Sequence, residues 1–422
     1  MKHTTNIPSS RIICSALAIL LLLFLFTGCA ESGDDSVSEQ SALFASGPVT
    51  VPNASSVAPV SLADALPDGT AFAVLFVNVG KADAAILRVG DATVLIDTGS
   101  AESAPQLFAA LNALNVSSID AVFLTHSHGD HLGGLDALAA NYSIPVVYSP
   151  FFSEQDKNGV GKITKRAEKL GLAHKELKAG ETVTLKNEVS FHVLGPLEQN
   201  GEDDNDNSLV LQFSYGGKTF LFAGDMQFAE EQTLINSGAN LKSDLLKVGN
   251  HGNPDATGDD FAALVFPAYA VVSTCTQEDP DSANTRVTAA LAGSEIFVTQ
   301  DFPIGVLLTC DSAGELTVSN PARNDAGLDV AIQSLDADRQ TVTLENNSSS
   351  DANLSGCIVF SARSGALLRF PDGAVLAAGQ TLTIGSGGDF AFPNEDKPLS
   401  QKKSNTVTFY DSLGTRLSRY EQ

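Results

Sequence analysis

The sequence predicts an α/β domain over residues 70–320 followed by a small all-β, immunoglobulin-like sandwich over 328–422. Three observations carry this reading. From Ala71 onward, short wholly apolar runs alternate with helical spacing, as expected of strands buried on both faces with helices between them. Beyond a linker at 321–327 the helical spacing stops, and short alternating runs separated by Gly, Asn, Asp and Pro replace it. The chain also has the material for two cores: of its 422 residues, 43% are hydrophobic and only 18% charged.

The elements follow in order. Ala73–Val77 and Thr93–Ile96 read as buried strands, Ala104–Leu114 as an amphipathic helix, and Ala121–Thr125 as another buried strand. Leu209–Leu211, Thr219–Ala223, Asp244–Val248, Tyr269–Thr274 and Gly305–Thr309 continue the pattern, which closes near Val318. In the C-terminal region, Thr341–Leu344, Ile358–Phe360, Thr381–Ile384 and Thr406–Tyr410 are the strand candidates.

Ahead of the α/β domain, Lys2 and Arg11 precede an apolar run from Ile12 to Phe26, then Thr27, Gly28 and Cys29. That run is short of the ~20 residues that span a bilayer and fits a signal-peptide core. Its Phe-Thr-Gly-Cys ending resembles the lipobox of bacterial lipoproteins, which implies a signal peptide over 1–28 and lipidation at Cys29. Residues 29–69, rich in Ser, Ala and acids, read as a tether. The expected location is therefore extracytoplasmic, anchored to the cell membrane. Cys275 and Cys310 each end a strand-like run, and the sequence leaves open a disulfide between them or free thiols.

Acids outnumber bases 50 to 25, giving a formal charge of -25. This excludes a protein whose whole surface grips nucleic acid, because phosphates are neutralised by Lys and Arg. One strip inverts the balance: seven of the fourteen bases of the α/β domain lie between Lys157 and Lys178. Lys162, Lys165, Arg166 and Lys169 fall at helical spacing, suited to a polyanion such as nucleic acid or a cell-wall polymer, or to a solvated helix face. No protein partner is inferable.

The chemistry concentrates in Thr125-His126-Ser127-His128-Gly129-Asp130-His131, directly after a buried strand. Imidazole nitrogen and carboxylate oxygen are ligands for zinc and similar divalent ions. His126 and His128 can serve one metal, Asp130 and His131 a second. Two further strands end in Asp225 and in His251, and a third in Asp97, placed to orient a ligand histidine or to cap its turn.

Residues 71–319 resemble the metallo-β-lactamase fold, and within it the hydrolase domain of the ComEC-type DNA-uptake proteins. The stretches that carry this are Val77–Asp83, Leu95–Gly99, His126–His131, Asn205–Leu211, Leu221–Asp225 and Leu245–Gly252. The resemblance implies an αββα sandwich with helices outside and metals at the sheet edges. It also implies two divalent ions, zinc foremost with manganese as the alternative. They would be held by His126, His128, Asp130, His131, Asp225 and His251, with Asp225 bridging and Asp130 positioning the nucleophilic water. The expected activity is a metal-dependent hydrolase, most simply a phosphodiesterase. A binding scaffold with an eroded centre, or a lactam or lactone hydrolase, are the alternatives. Several positions depart from the family pattern. Lys81 and Ala82 stand in the first motif, Asn250 replaces one of two histidines, Ser282-Ala283 replaces a later Gly-His-Pro, and no histidine lies near Gly195-Pro196. In the C-terminal region, Val342–Asn346, Leu354–Cys357, Phe370–Gly373, Leu376–Leu382 and Val407–Asp411 resemble the lamin-tail module, with Cys357 where a Trp is common.

Overall fold

A computed structural model describes residues 57–66, 70–154, 161–201, 203–311, 313–322 and 327–422. The expected signal peptide, Cys29 and most of the tether lie outside the described residues, as do Lys157 and much of the linker; the tether's described part, 57–66, is not a free tether, since Pro59 and Val60 pair with Asn320 and Pro321.

The chain first lays down β1 (Pro59–Val60), α1 (Leu62–Ala65), β2 (Phe72–Val77), β3 (Ala85–Val89), β4 (Ala92–Ile96), α2 (Ala104–Ala113), β5 (Ala121–Phe123), α3 (Gly129–Leu132), α4 (Leu135–Asn141), β6 (Val147–Pro150), α5 (Lys162–Leu170) and β7 (His174–Leu177). A second group follows: β8 (Thr182–Thr184), β9 (Ser190–Gly195), β10 (Val210–Tyr215), β11 (Lys218–Phe222), α6 (Phe228–Ser237), β12 (Leu245–Lys247), α7 (Asp259–Val265), β13 (Tyr269–Val272), α8 (Thr285–Ala290) and β14 (Glu295–Val298). Two last strands, β15 (Gly305–Cys310) and β16 (Leu316–Pro321), return to the first sheet.

These strands build two mixed sheets, ordered β1-β16-β15-β2-β3-β4-β5-β6-β7 and β14-β13-β12-β11-β10-β9-β8. The continuous apolar runs have a simple cause. In β2, Phe72, Val74 and Phe76 point between the sheets, while Ala73, Leu75 and Val77 point to the outer helices. The inter-sheet core is aromatic, with Phe72 stacked on Tyr215 at 5.0 Å and Phe123 packed on Phe191 at 4.8 Å. Helices α2, α4 and α5 cover the outside of the first sheet; α6, α7 and α8 cover the second. This is the expected αββα sandwich.

The remaining strands are β17 (Val330–Asp336), β18 (Thr341–Asn346), β19 (Ala352–Asn353), β20 (Ile358–Ser361), β21 (Ala366–Arg369), β22 (Val375–Leu376), β23 (Thr381–Gly385), β24 (Thr406–Tyr410) and β25 (Arg416–Glu421). They form small sheets, β17-β18-β23, β21-β20-β24-β25 and the pair β19-β22, around a core of their own that includes Cys357 and Phe370.

One expectation changes, and one open alternative is decided. Helix α2 is not amphipathic: eight of its ten residues are buried, because β20 and β21 pack on its outer side. Cys275 and Cys310 are both free thiols. Residue 276 bonds to Gln300, just before β15 begins, whereas Cys310 ends that strand. A strand of this length separates them by roughly 17 Å, at ~3.3 Å per residue, and a disulfide needs Cα atoms about 6 Å apart.

Candidate metal centre

The centre lies where the parallel strands of both sheets end. Asp97 follows β4, Thr125–His131 follows β5, Asp225 follows β11, His251 follows β12, and Asp83 sits between β2 and β3. Several of these turns need left-handed backbone: Asp97 has φ 60°, Gly224 55°, Asn250 42° and His251 52°. Asn and Asp visit this region more readily than most residues, whereas His251 there is a strained placement of the kind found at functional sites.

Asp97 organises the first loop. Its Oδ1 accepts from the Thr125 N–H at 2.8 Å, and its Oδ2 accepts from Thr125 Oγ1 at 2.8 Å and from His131 Nδ1 at 2.8 Å. With Nδ1 committed, His131 turns Nε2 inward to 3.1 Å from Asp225 Oδ2. His251 is fixed in the same way: Nδ1 donates to the Ser273 carbonyl at 2.8 Å, and Nε2 lies 3.2 Å from Asp225 Oδ2 and 3.4 Å from Asp130 Oδ2. His126 Nε2 is 3.9 Å from the same Asp225 oxygen. His128 stands at the rim, half-buried, its ring edge-on to His126 at 4.6 Å. Three imidazoles thus converge on one carboxylate oxygen.

The electrostatics ask for positive charge at that point. Burial opposes ionisation of His131, yet Asp225 and Asp97 hold it well above the ordinary imidazole range. Burial likewise opposes the charged form of His251, but Asp225 and Asp130 carry it up to about 9. Burial works against the Asp225 carboxylate, and His131 and His251 still hold it well below the usual range. Burial, with His131 beside it, holds His126 well below the ordinary imidazole range.

The donor set fits a divalent cation. The Nε2 atoms of His126, His131 and His251 and Asp225 Oδ1 are buried with no hydrogen-bond partner. Orphaned buried polar atoms are costly unless something binds them. Asp83, His131, Asp225 and His251 each offer a ligand atom, all within 4.8 Å of one another.

Of the six sequence-predicted ligand candidates, His131, Asp225 and His251 belong to this set, His126 and Asp130 face it at 3.9 and 3.4 Å, His128 stands at the rim beside His126, and Asp97 orients His131. The sequence reading missed Asp83 as a candidate ligand, although its first motif included the residue. It also missed two lysines: Lys81 Nζ lies 2.7 Å from Asp130 Oδ2, and buried Lys247 lies 2.6 Å from Asp83 Oδ2. Asn250 is a turn-former whose side-chain amide donates to Asp255 at 3.0 Å. Ser282 accepts from Thr274 and donates to the Asp279 carbonyl, while the Ala283 N–H supports the His251 carbonyl at 3.1 Å. Two buried or half-buried groups invisible in the motif brace the His251 loop. Arg286 donates to the carbonyls of Pro254, Ala256 and Thr257, and Glu231 accepts from the N–H groups of Thr257 and Gly258.

The basic strip is largely paired. Lys162 pairs with Glu154, and Arg166 and Lys169 with Asp136 at 2.5 and 3.8 Å; Lys165 shares the same helix, α5. Its first residue adjoins the centre, because Glu154 also accepts from Ser127 Oγ at 3.4 Å.

Residues 77–276 match the Metallo-beta-lactamase superfamily. The chain is 33% identical over 165 residues to ComE operon protein 3 of Bacillus subtilis, covering 39% of this chain and 21% of that protein. It is 31% identical over 216 residues to Competence protein ComA of Neisseria gonorrhoeae, covering 50% and 28% respectively. The match therefore spans well under a third of either relative. Among solved structures, the metallo-beta-lactamase fold protein YhfI from Bacillus subtilis aligns over 59% of this chain and 99% of its own, at 12% identity and a TM-score of 0.38. The sequence matches and the ligand geometry agree: the chain carries a metallo-β-lactamase domain homologous to ComE operon protein 3 and ComA.

Proposed function

We propose that this protein is an exported, lipid-anchored, metal-dependent hydrolase acting on a phosphodiester. The observation that carries the reading is the convergence of the buried His126, His131 and His251 Nε2 atoms on one Asp225 oxygen, with no well-formed hydrogen bond to any of them. Two divalent ions, zinc foremost and manganese second, suit this mixed imidazole and carboxylate set. When bound, they supply Lewis acidity and a water whose pKa falls from ~16 towards ~7. The chain's own groups do the rest. Asp225 would hold the ions together with the histidines, Asp97 and the Ser273 carbonyl fix the tautomers of His131 and His251, and burial keeps bulk water from Asp225 and these two rings.

A phosphodiester is supported by homology to competence proteins; the basic helix α5 adds little, because Lys162 is paired with Glu154 and Arg166 and Lys169 with Asp136. Asn250 supports an enzyme over a scaffold, since it serves the loop that presents His251. The C-terminal strands suit a lamin-tail-like module, and the lipobox-like ending at Cys29 suits a membrane anchor.

The test is a screen of zinc- and manganese-loaded protein against a chromogenic phosphodiester, a lactam and a lactone. Hydrolysis of the diester is expected; turnover of a carbonyl substrate alone would reassign the chemistry. Metal bound without turnover of any substrate would favour the scaffold. For the anchor, Cys29→Ser should release the protein or leave an uncleaved precursor, and a cleaved form still on the membrane would contradict it.

A further inference from the structure

Two lysines sit against the carboxylates of a site suited to metal cations, where an ammonium competes for the same oxygens. They are not equivalent. Lys247 is sealed in: it is buried, pairs with Asp83 Oδ2 at 2.6 Å and donates to the Val248 carbonyl at 2.8 Å. Lys81 stands at the mouth with 30% of its side chain exposed, on a turn whose backbone N–H donates to Glu278 at 3.0 Å. Its ammonium ends a flexible four-carbon stem and can leave its partner without disturbing the fold.

The oxygen that Lys81 holds is the informative one. Asp130 Oδ2 lies 2.7 Å from Lys81 Nζ and 3.4 Å from His251 Nε2, so the ammonium occupies a ligand atom that a second ion would need. Formal charge points the same way. Asp83, Asp97, Asp130 and Asp225 contribute four negative charges, Lys81 and Lys247 return two, and histidines are neutral when they bind metal. The balance matches one divalent ion. A second must arrive at a centre that is already neutral and leave it net positive, or displace an ammonium.

We infer that Lys81 is a built-in cation that occupies the Asp130 side of the centre. The chain then holds one divalent ion tightly and admits a second only when Lys81 releases Asp130. This rests on the metal-dependent reading above and adds that the two positions are unequal by design of this chain's first motif. It also gives Lys81 a second role: once displaced, its ammonium is left at the mouth, where an anionic substrate oxygen approaches.

The experiment is equilibrium dialysis of full-length wild type, Lys81→Gln and Lys81→Arg against buffered free zinc, with bound metal measured by mass spectrometry. Wild type and Lys81→Arg should fill one position, and Lys81→Gln should take a second equivalent at least ~10-fold more tightly than wild type, since an adjacent like charge has been removed. Two equivalents at the same free zinc in wild type and Lys81→Gln would overturn the proposal while leaving the hydrolase reading intact. So would a single equivalent in all three. No metal in any of them would overturn both.

Discussion

The two ends of the first helix–sheet layer treat buried polar groups in opposite ways. Away from the metal centre, at the C-terminal end of α2, Asn112 spends its whole capacity on the C-terminal strands. Its amide donates to the carbonyls of Gly356 and Ser412 at 2.9 Å each, and its carbonyl oxygen accepts from Arg369 Nε at 2.6 Å. Around that latch, Ile358, Phe360 and Leu367 join the core of the α/β domain. At the other end, His126, His131 and His251 are fully buried, where Asn112 is only half-buried, and their Nε2 atoms face Asp225 without a well-formed hydrogen bond. Satisfied polar groups glue the two regions together; unsatisfied ones mark where an external ligand belongs.

The comparison breaks most sharply at the metal end. His131→Ala removes the ring between Asp97 and Asp225 and should lower turnover by orders of magnitude, as expected when a metal-activated water is lost. Asp97→Asn keeps the ring but weakens its orientation, and metal affinity should fall about 10–100-fold. Both are read by metal content and activity, with thermal stability following metal occupancy.

The latch end should respond in the other currency. Asn112→Ala loses three hydrogen bonds and should cost about 2–3 kcal/mol in denaturant unfolding, at ~1 kcal/mol each. Metal content should stay that of the wild type. If Asn112→Ala emptied the centre instead, the two ends would not be separable.

The smallest effect concerns the brace behind His251. Burial pushes Glu231 from 4.5 up to about 7, against the pull of the Gly258 and Thr257 N–H groups and Arg286. The folded state therefore keeps a proton that the unfolded chain releases. The stability this contributes is whole below about pH 4.5, shrinks as pH rises, and is gone above about pH 7. Glu231→Gln should flatten that decline, visible as a smaller change in denaturation midpoint between about pH 5 and about pH 8 than in wild type.

Much of the centre was legible in sequence because its chemistry is local. His126 to His131 lie within six residues, and Asp97, Asp225 and His251 each end a recognisable apolar run. What escaped depends on distant chain segments meeting. Lys247 reaches Asp83 across 164 residues of sequence, and nothing in either local pattern announces the pair. Helix α2 reads as amphipathic until strands 240 residues later cover its outer face. The basic spacing of α5 was visible, but its acidic partners Asp136 and Glu154 come from other elements. The choice between paired and free Cys275 and Cys310 stayed open in sequence for the same reason, since apolar runs report strands but not which ends adjoin.

Asp225 is the hub on which the three histidines converge. Metal content and phosphodiester turnover measured together on Asp225→Ala test it most directly. Both should collapse in parallel, because His131, His251 and His126 lose the oxygen they share. Turnover retained by Asp225→Ala at unchanged metal content would contradict the account.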